Sequence, residues 1–287
     1  EAYQRLLAAH AGFKINLHFV HGRGGSASRG GRIEALVRSV PAGVVNAPLR
    51  FTEEGDVVNQ SYGLRPIAMR TIERTFHSLV MRRAAAGAPQ PSRLKFEQVM
   101  RTLAAHSLDS YRRFVYGDAG LNRYFHAATP IDVIERMQIG ARPAMRDDTE
   151  SIESLRSIPW VFAWTQSRCM LPGWFGVGSA LQAAGSEYGV ATLRAMWEEW
   201  PLFTSLIDDT EETLARADLG IAAWYDELVP AADRRFLAPI REEFECTRTQ
   251  VLAVKGTGEL LEGNPKLARA LTLRNPYIDP MHLMQVD

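Results

Sequence analysis

Residues His21-Gly22-Arg23-Gly24-Gly25-Ser26-Ala27-Ser28-Arg29-Gly30-Gly31 constrain the chain more than any other stretch. Five glycines in these eleven positions free the backbone to take positive φ and to approach a bound group closely. The loop follows a short apolar run, residues 15–20, that reads as a buried strand. No carboxylate occurs between Glu1 and Glu34, whereas Arg5, Lys14, Arg23, Arg29 and Arg32 are all cationic. Backbone N–H groups framed by fixed cations are what a phosphate or carboxylate site requires. A surface loop with solvated arginines fits the same letters, so the pattern alone leaves both readings open.

Hydrophobic residues make up 46% and charged residues 23% of the 287, which are the proportions of a soluble globular protein. Lys+Arg and Asp+Glu both number 33, so the net charge gives no support for binding nucleic acid or an acidic membrane. Cys169 and Cys246 make no disulfide framework, suit a reducing compartment and read as small buried hydrophobes. No apolar run approaches the ~20 residues of a membrane helix. The first residues, Glu1-Ala2-Tyr3-Gln4, resemble neither a signal peptide nor an initiator, and we read the chain as a piece of a longer protein.

Residues 1–11 predict the end of a helix, and residues 33–40 a short one closed by Pro41 and Gly43. Residues 49–52 and 57–62 flank Glu53-Glu54-Gly55-Asp56 and predict a hairpin. Helices are predicted over 66–86 and from Ser92 to about Val115, with a turn at 118–122 and a helix start at Thr129-Pro130. Residues 159–166 are aromatic and β-branched and predict a buried strand. Trp160, Trp164 and Trp174 read as core. From Val190 the pattern is helical: a break at Trp200-Pro201, long helices over 204–229 and 233–254, then short helices starting at Asn264-Pro265 and Asp279-Pro280. Asp208-Asp209 and Glu211-Glu212 read as a solvated helix start rather than a metal site.

Several of these stretches resemble one family. HGRGGSASRGG resembles the HGRGG(S/T)xGRGG loop of phosphoenolpyruvate carboxylases, with Ser28 where the family usually has glycine. Residues 49–62 resemble its LRxTxQGE segment, with Glu54 in place of glutamine, and Tyr124 to Pro130 resembles its YFxxATP. Residues 139–146 and 155–160 resemble its (I/L)GSRPxxR and ESLRAIPW pair. Between them the chain has the acidic run Asp147-Asp148-Thr149-Glu150, where many relatives are basic. Arg142 and Arg156 pairing with these acids is the alternative to ligand binding. Residues 159–181 resemble IPWxFxWxQxRxxLPxWxGxGxAL, residues 216–229 the (K/R)(A/G)DLxxAxxYxxLV helix, and residues 273–285 the LRNPYxDPLxxLQ signature.

The resemblance spans nearly the whole chain and implies an α/β, strongly α-rich fold. Residues 1–287 would be the C-terminal part of a (β/α)₈ barrel of TIM type, embedded in many additional helices. The activity it implies for the full-length protein is conversion of phosphoenolpyruvate and bicarbonate to oxaloacetate and phosphate with Mg²⁺ or Mn²⁺. Phosphoryl transfer to bicarbonate yields carboxyphosphate and an enolate, and the enolate then captures the released carbon dioxide. By resemblance, Arg23, Arg142 and Arg156 hold substrate oxygens, Arg29 serves the carboxylation stage, and His21 lies beside the bicarbonate. An aspartate or malate inhibitor would use Arg216, Arg274 and Arg29. The implied assembly is a homotetramer. The metal ligands are expected upstream of this chain, so the chain alone is expected to be inactive. A non-catalytic anion-binding or scaffold module of the same fold is the alternative. No HExxH, Walker A, GxSxG or CxxC pattern offers a different chemistry.

Overall fold

The computed structural model describes residues 2–13, 17–22, 37, 50–52, 55–84, 93–137, 143–147, 149 and 151–287. In chain order the elements are α1 (Ala2–His10), β1 (Val20–Gly22), β2 (Arg50–Thr52), α2 (Gly55–Tyr62), α3 (Arg65–Ala84), α4 (Arg93–Tyr116), α5 (Gly120–Ala128), α6 (Ile131–Arg136) and α7 (Ser157–Gln166). They continue with α8 (Val177–Tyr188), α9 (Val190–Glu199), α10 (Pro201–Arg216), α11 (Leu219–Glu227), α12 (Leu237–Lys255) and α13 (Pro265–Val286), with 3₁₀ turns at Leu171–Gly173 and Arg234–Phe236. The chain forms two compact units, Glu1–Pro91 with Trp200–Ser205, and Ser92–Glu199 with Leu206–Asp287. It is α-rich, as expected.

In the first unit, β1 and β2 pair in parallel, Val20 with Arg50, His21 with Phe51 and Gly22 with Thr52. Parallel neighbours need a crossover of a dozen or more residues, and residues 23–49 are long enough to supply one. The apolar run forms a strand only from Val20 onward. The hairpin expected over 49–62 is not formed: β2 takes its hydrogen-bond partner from β1, and the second arm is helix α2. The helix expected over 33–40 lies outside the described residues, Val37 excepted.

The second unit is built around α8, which packs against α4, α9 and α12. Its buried face is Gly178, Ala180, Leu181 and Ala184. Small residues there let neighbouring backbones close in, and Gly178 shows how tightly: a Cβ added to it would lie 2.3 Å from Thr247 N and 2.6 Å from Thr247 Cα. Gly176, just before the helix, has φ +85 and would place a Cβ 2.9 Å from Ser107 O. The first amides of α8, which have no partner within the helix, are taken up from α12. Glu243 accepts from Gly176 N (3.1 Å), from Ser179 N (3.0 Å) and from the Ser179 hydroxyl. Thr247 Oγ1 accepts from Gly178 N at 3.1 Å and donates to Glu243 O.

Trp164 and Trp174 are fully buried, as read from sequence, and Trp160 is half-buried. The Trp174 indole donates to Cys169 O at 2.9 Å, so its burial leaves no stranded donor. Cys169 is buried, whereas Cys246 is only partly so.

Residues 159–166 are helix α7, not a strand. Trp160 and Trp164, four apart, meet edge to face at 5.7 Å, a contact that helical spacing creates. Pro159 sits in the first turn, where its missing N–H costs nothing. The expected 204–229 helix is two helices. Asp218, extended at φ −143 and ψ 101, caps α11 by accepting from Gly220 N (2.9 Å) and Ile221 N (3.0 Å). The two short C-terminal helices are one, α13, which runs through Pro276 and Pro280. The acidic run is not a solvated start. It lies within α10, where Asp208 and Glu211 accept from Lys255 Nζ at 2.6 and 2.8 Å, and Glu211 also accepts from Leu261 N at 3.0 Å. Burial opposes the lysine charge, but the bonds to Asp208 and Glu211 outweigh it and hold Lys255 above its ordinary value.

Gly178→Ala should destabilise the protein by about 3 kcal/mol, because the nearest atoms to the new methyl are the Thr247 backbone, which cannot swing aside. Glu243→Ala should cost about 2 kcal/mol through the stranded amides at the start of α8. Urea unfolding of the two variants beside the parent checks both.

Candidate functional site

The described part of the expected substrate site centres on Arg156. A short antiparallel bridge joins Met145 to Leu155. Within it Arg156 N donates to Ala144 O at 2.9 Å and Arg146 N to Ser154 O at 2.8 Å. Leu155 is buried, and the chain turns directly into α7, whose Trp160 N donates to Arg156 O at 3.1 Å. Arg156 is thus fixed at a helix N-terminus, with extended backbone at φ −79 and ψ 155. Its Nε is buried and has no hydrogen-bond partner among the described residues. A stranded guanidinium N–H costs about 1–3 kcal/mol or more, which a bound acceptor would recover.

One turn along, the Trp160 indole donates to the Tyr111 hydroxyl at 2.9 Å. Burial pushes the Tyr111 phenol up to about 12 despite that bond. Trp160 also packs on Phe125, with centroids 4.8 Å apart. This aromatic wall fixes the first turn of α7, and so the position from which Arg156 projects.

A second cationic cluster forms where α10, α11 and α13 meet the turn after α7. Arg216, the last residue of α10, pairs with Glu212 at 3.1 Å. Arg168 is buried, donating Nη1 to Asp279 Oδ1 at 2.6 Å and Nε to Arg216 O at 3.2 Å. Arg274 on α13 donates to Asn275 Oδ1 at 3.1 Å. Burial, then the charges of Arg168 and Arg216, lower its affinity for its own proton, with Asp279 opposing. A guanidinium in such surroundings gains from a nearby anion. Further along α13, Tyr225 OH lies 2.9 Å from His282 Nδ1 and donates to Gln285 Oε1 at 3.0 Å.

Among the described residues no group of three His, Cys, Asp or Glu side chains is placed to hold a metal ion. No helix among them is long and apolar enough to cross a membrane.

A sequence profile described as phosphoenolpyruvate carboxylase matches residues 1–287. The chain belongs to the phosphoenolpyruvate carboxylase family. It is 42% identical over 288 residues to the phosphoenolpyruvate carboxylase of Xanthomonas euvesicatoria pv. vesicatoria, covering 100% of this chain and 32% of that protein. It is 40% identical to that of Rhodopseudomonas palustris, over 95% of this chain and 30% of the relative. It is 37% identical to phosphoenolpyruvate carboxylase 2 of Chlamydomonas reinhardtii, over 99% and 24% respectively. The chain therefore spans about a third or less of the length of these relatives.

Of the residues expected to act, Arg156, Arg216 and Arg274 are described, and Arg216 and Arg274 fall into one electrostatic neighbourhood. His21 is described through its backbone, in β1 opposite Phe51. Arg23, Arg29 and Arg142 lie outside the described residues. Sequence reasoning passed over Arg168, although it stands inside the WxQxR stretch that carried the resemblance. Nothing in its spacing announces that it reaches Arg216 and Asp279.

Burial, followed by the charge of Arg168, lowers the His282 pKa, with Asp279 and Asp218 opposing. The unfolded chain then binds this proton more readily than the folded one. The His282 contribution to stability is full above the unfolded value near 6.5 and is lost as pH falls through the depressed folded value. The melting temperature should therefore decline on acidification below about pH 6.5, and less steeply in His282→Gln, as thermal scans from pH 5 to 8 would register.

Proposed function

We propose that the intact protein, of which this chain is about a third, converts phosphoenolpyruvate and bicarbonate to oxaloacetate and phosphate. The family membership supports this reading, and one observation in the chain carries it: the buried, unpartnered Nε of Arg156 at the start of α7. Phosphoenolpyruvate, carboxyphosphate and the enolate all present anionic oxygens. A guanidinium fixed by its backbone on both sides, with one donor unspent, stabilises such oxygens with little reorganisation. Arg23 and Arg142 join it in holding phosphate and carboxylate, Arg29 serves carboxylation, and His21 lies beside the bicarbonate.

The parallel β1–β2 pair supports placing residues 1–287 in the C-terminal part of a (β/α)₈ barrel. His21, Arg23 and Arg29 would then follow the C-terminal end of a barrel strand, where such folds carry their sites. Mg²⁺ or Mn²⁺ belongs to the proposal and would supply charge neutralisation at the transferring phosphoryl group. The described residues do not fit the ion: the neighbouring carboxylates Asp208 and Glu211 already share Lys255. Its ligands lie in the remainder of the protein, and the chain alone does not turn over.

Arg216 and Arg274, with Arg29, bind an inhibitory dicarboxylate, aspartate or malate. The partial burial of Arg274 beside Arg168 and Arg216 supports this. The enzyme works in the cytoplasm as a homotetramer.

In the intact enzyme, Arg156→Gln should raise the KM for phosphoenolpyruvate by about tenfold or more, the loss of one charged hydrogen bond. Arg29→Ala should abolish oxaloacetate formation while phosphoenolpyruvate still binds. Coupled oxaloacetate assays with direct binding measurements check both, and near-normal oxaloacetate from Arg29→Ala would refute the assignment.

A further inference from the structure

We propose that Arg168 is the positioning residue of the anion site around Arg216 and Arg274: it sets where those two guanidinium groups stand and does not itself hold the anion. The inference rests on the effector reading of that site. Arg168 touches three elements at once. Its Nε donates to the carbonyl of Arg216, the last residue of α10. Its own carbonyl accepts from the N–H of Asp218, the cap of α11, at 2.9 Å. Its Nη1 donates to Asp279, five residues beyond Arg274 on α13.

The side chain is 5% exposed, and Asp279 neutralises its charge within the protein. What remains is geometry. A planar guanidinium with donors in fixed directions reaches two acceptors on different helices, which a lysine ammonium on a flexible stem does not reproduce. The backbone points the same way. Arg168 has φ +59 and Met170 φ +51, a region in which a side chain costs about 1–2 kcal/mol and which glycine enters freely. The three bonds made from this one residue offset that cost. Moving the Arg168 side chain would release the C-terminus of α10, which carries Arg216, and the stretch of α13 that carries Arg274.

The test uses the intact carboxylase, with aspartate as the probe in calorimetric titration and the phosphoenolpyruvate KM measured on the same preparations. Arg168→Lys keeps the charge and can still meet Asp279, but does not also bind Arg216 O. It should raise the aspartate Kd about fivefold, and Arg168→Gln about tenfold, with the KM within about twofold of the parent. Unchanged aspartate affinity in Arg168→Lys overturns the proposal, because charge alone then suffices. A Kd and KM that rise together overturn it as well, since the residue is then merely structural. Should Arg168→Gln not fold, Arg168→Lys carries the test. Arg216→Ala and Arg274→Ala distinguish the underlying reading: normal aspartate binding in both removes the anion site, and with it any role for Arg168 there.

Discussion

The second unit depends on how closely α8 approaches α12. With no side chain at Gly178, the backbone at Thr247 moves into the space a methyl would fill. That proximity brings the Glu243 carboxylate and the Thr247 hydroxyl to the amides that open α8. The helix is therefore started from outside its own sequence, by a neighbour some 65 residues later. Close-packed interiors transmit such constraints because few voids remain to absorb a shift. The glycines of the 173–178 stretch are explained by steric fit to Ser107, Thr213 and Thr247, without appeal to a ligand.

Much of this was legible from the letters. The helix starts read at Pro66, after Ser92 and at Trp200-Pro201 fall within a residue or so of those of α3, α4 and α10. The failures share a cause. Residues 159–166 have strand-like composition, yet Trp160 and Trp164 meet at helical spacing within a tryptophan–phenylalanine cluster, and packing overrode propensity. The 49–62 hairpin failed because β2 pairs with a strand far back in the sequence, which no local pattern reveals. Asp218 carried a usable cap signal, but it was submerged in an unbroken amphipathic period.

For the candidate site, the sequence named arginines and could not say which keep a free donor. Arg156 does, at Nε, whereas Arg123 spends two donors on Asp233 and Arg235 one on Asp118. These are identical letters with different availability, decided by partners more than a hundred residues away in sequence. Charge counting misses this distinction, because a neutral chain still concentrates cations where carboxylates have been drawn elsewhere.

Helix α13 has one more consequence. Pro276 and Pro280 each remove an amide hydrogen from the ladder, so the carbonyls of Thr272 and Pro276 have no helical donor four residues on. The rod is perforated twice along one side. It is held to the rest of the unit by Leu271 in the interior, the Arg168–Asp279 pair and the Tyr225–His282 contact. A rod of that construction behaves as a splint tied at three places, and loosening any one tie lets its far end swing.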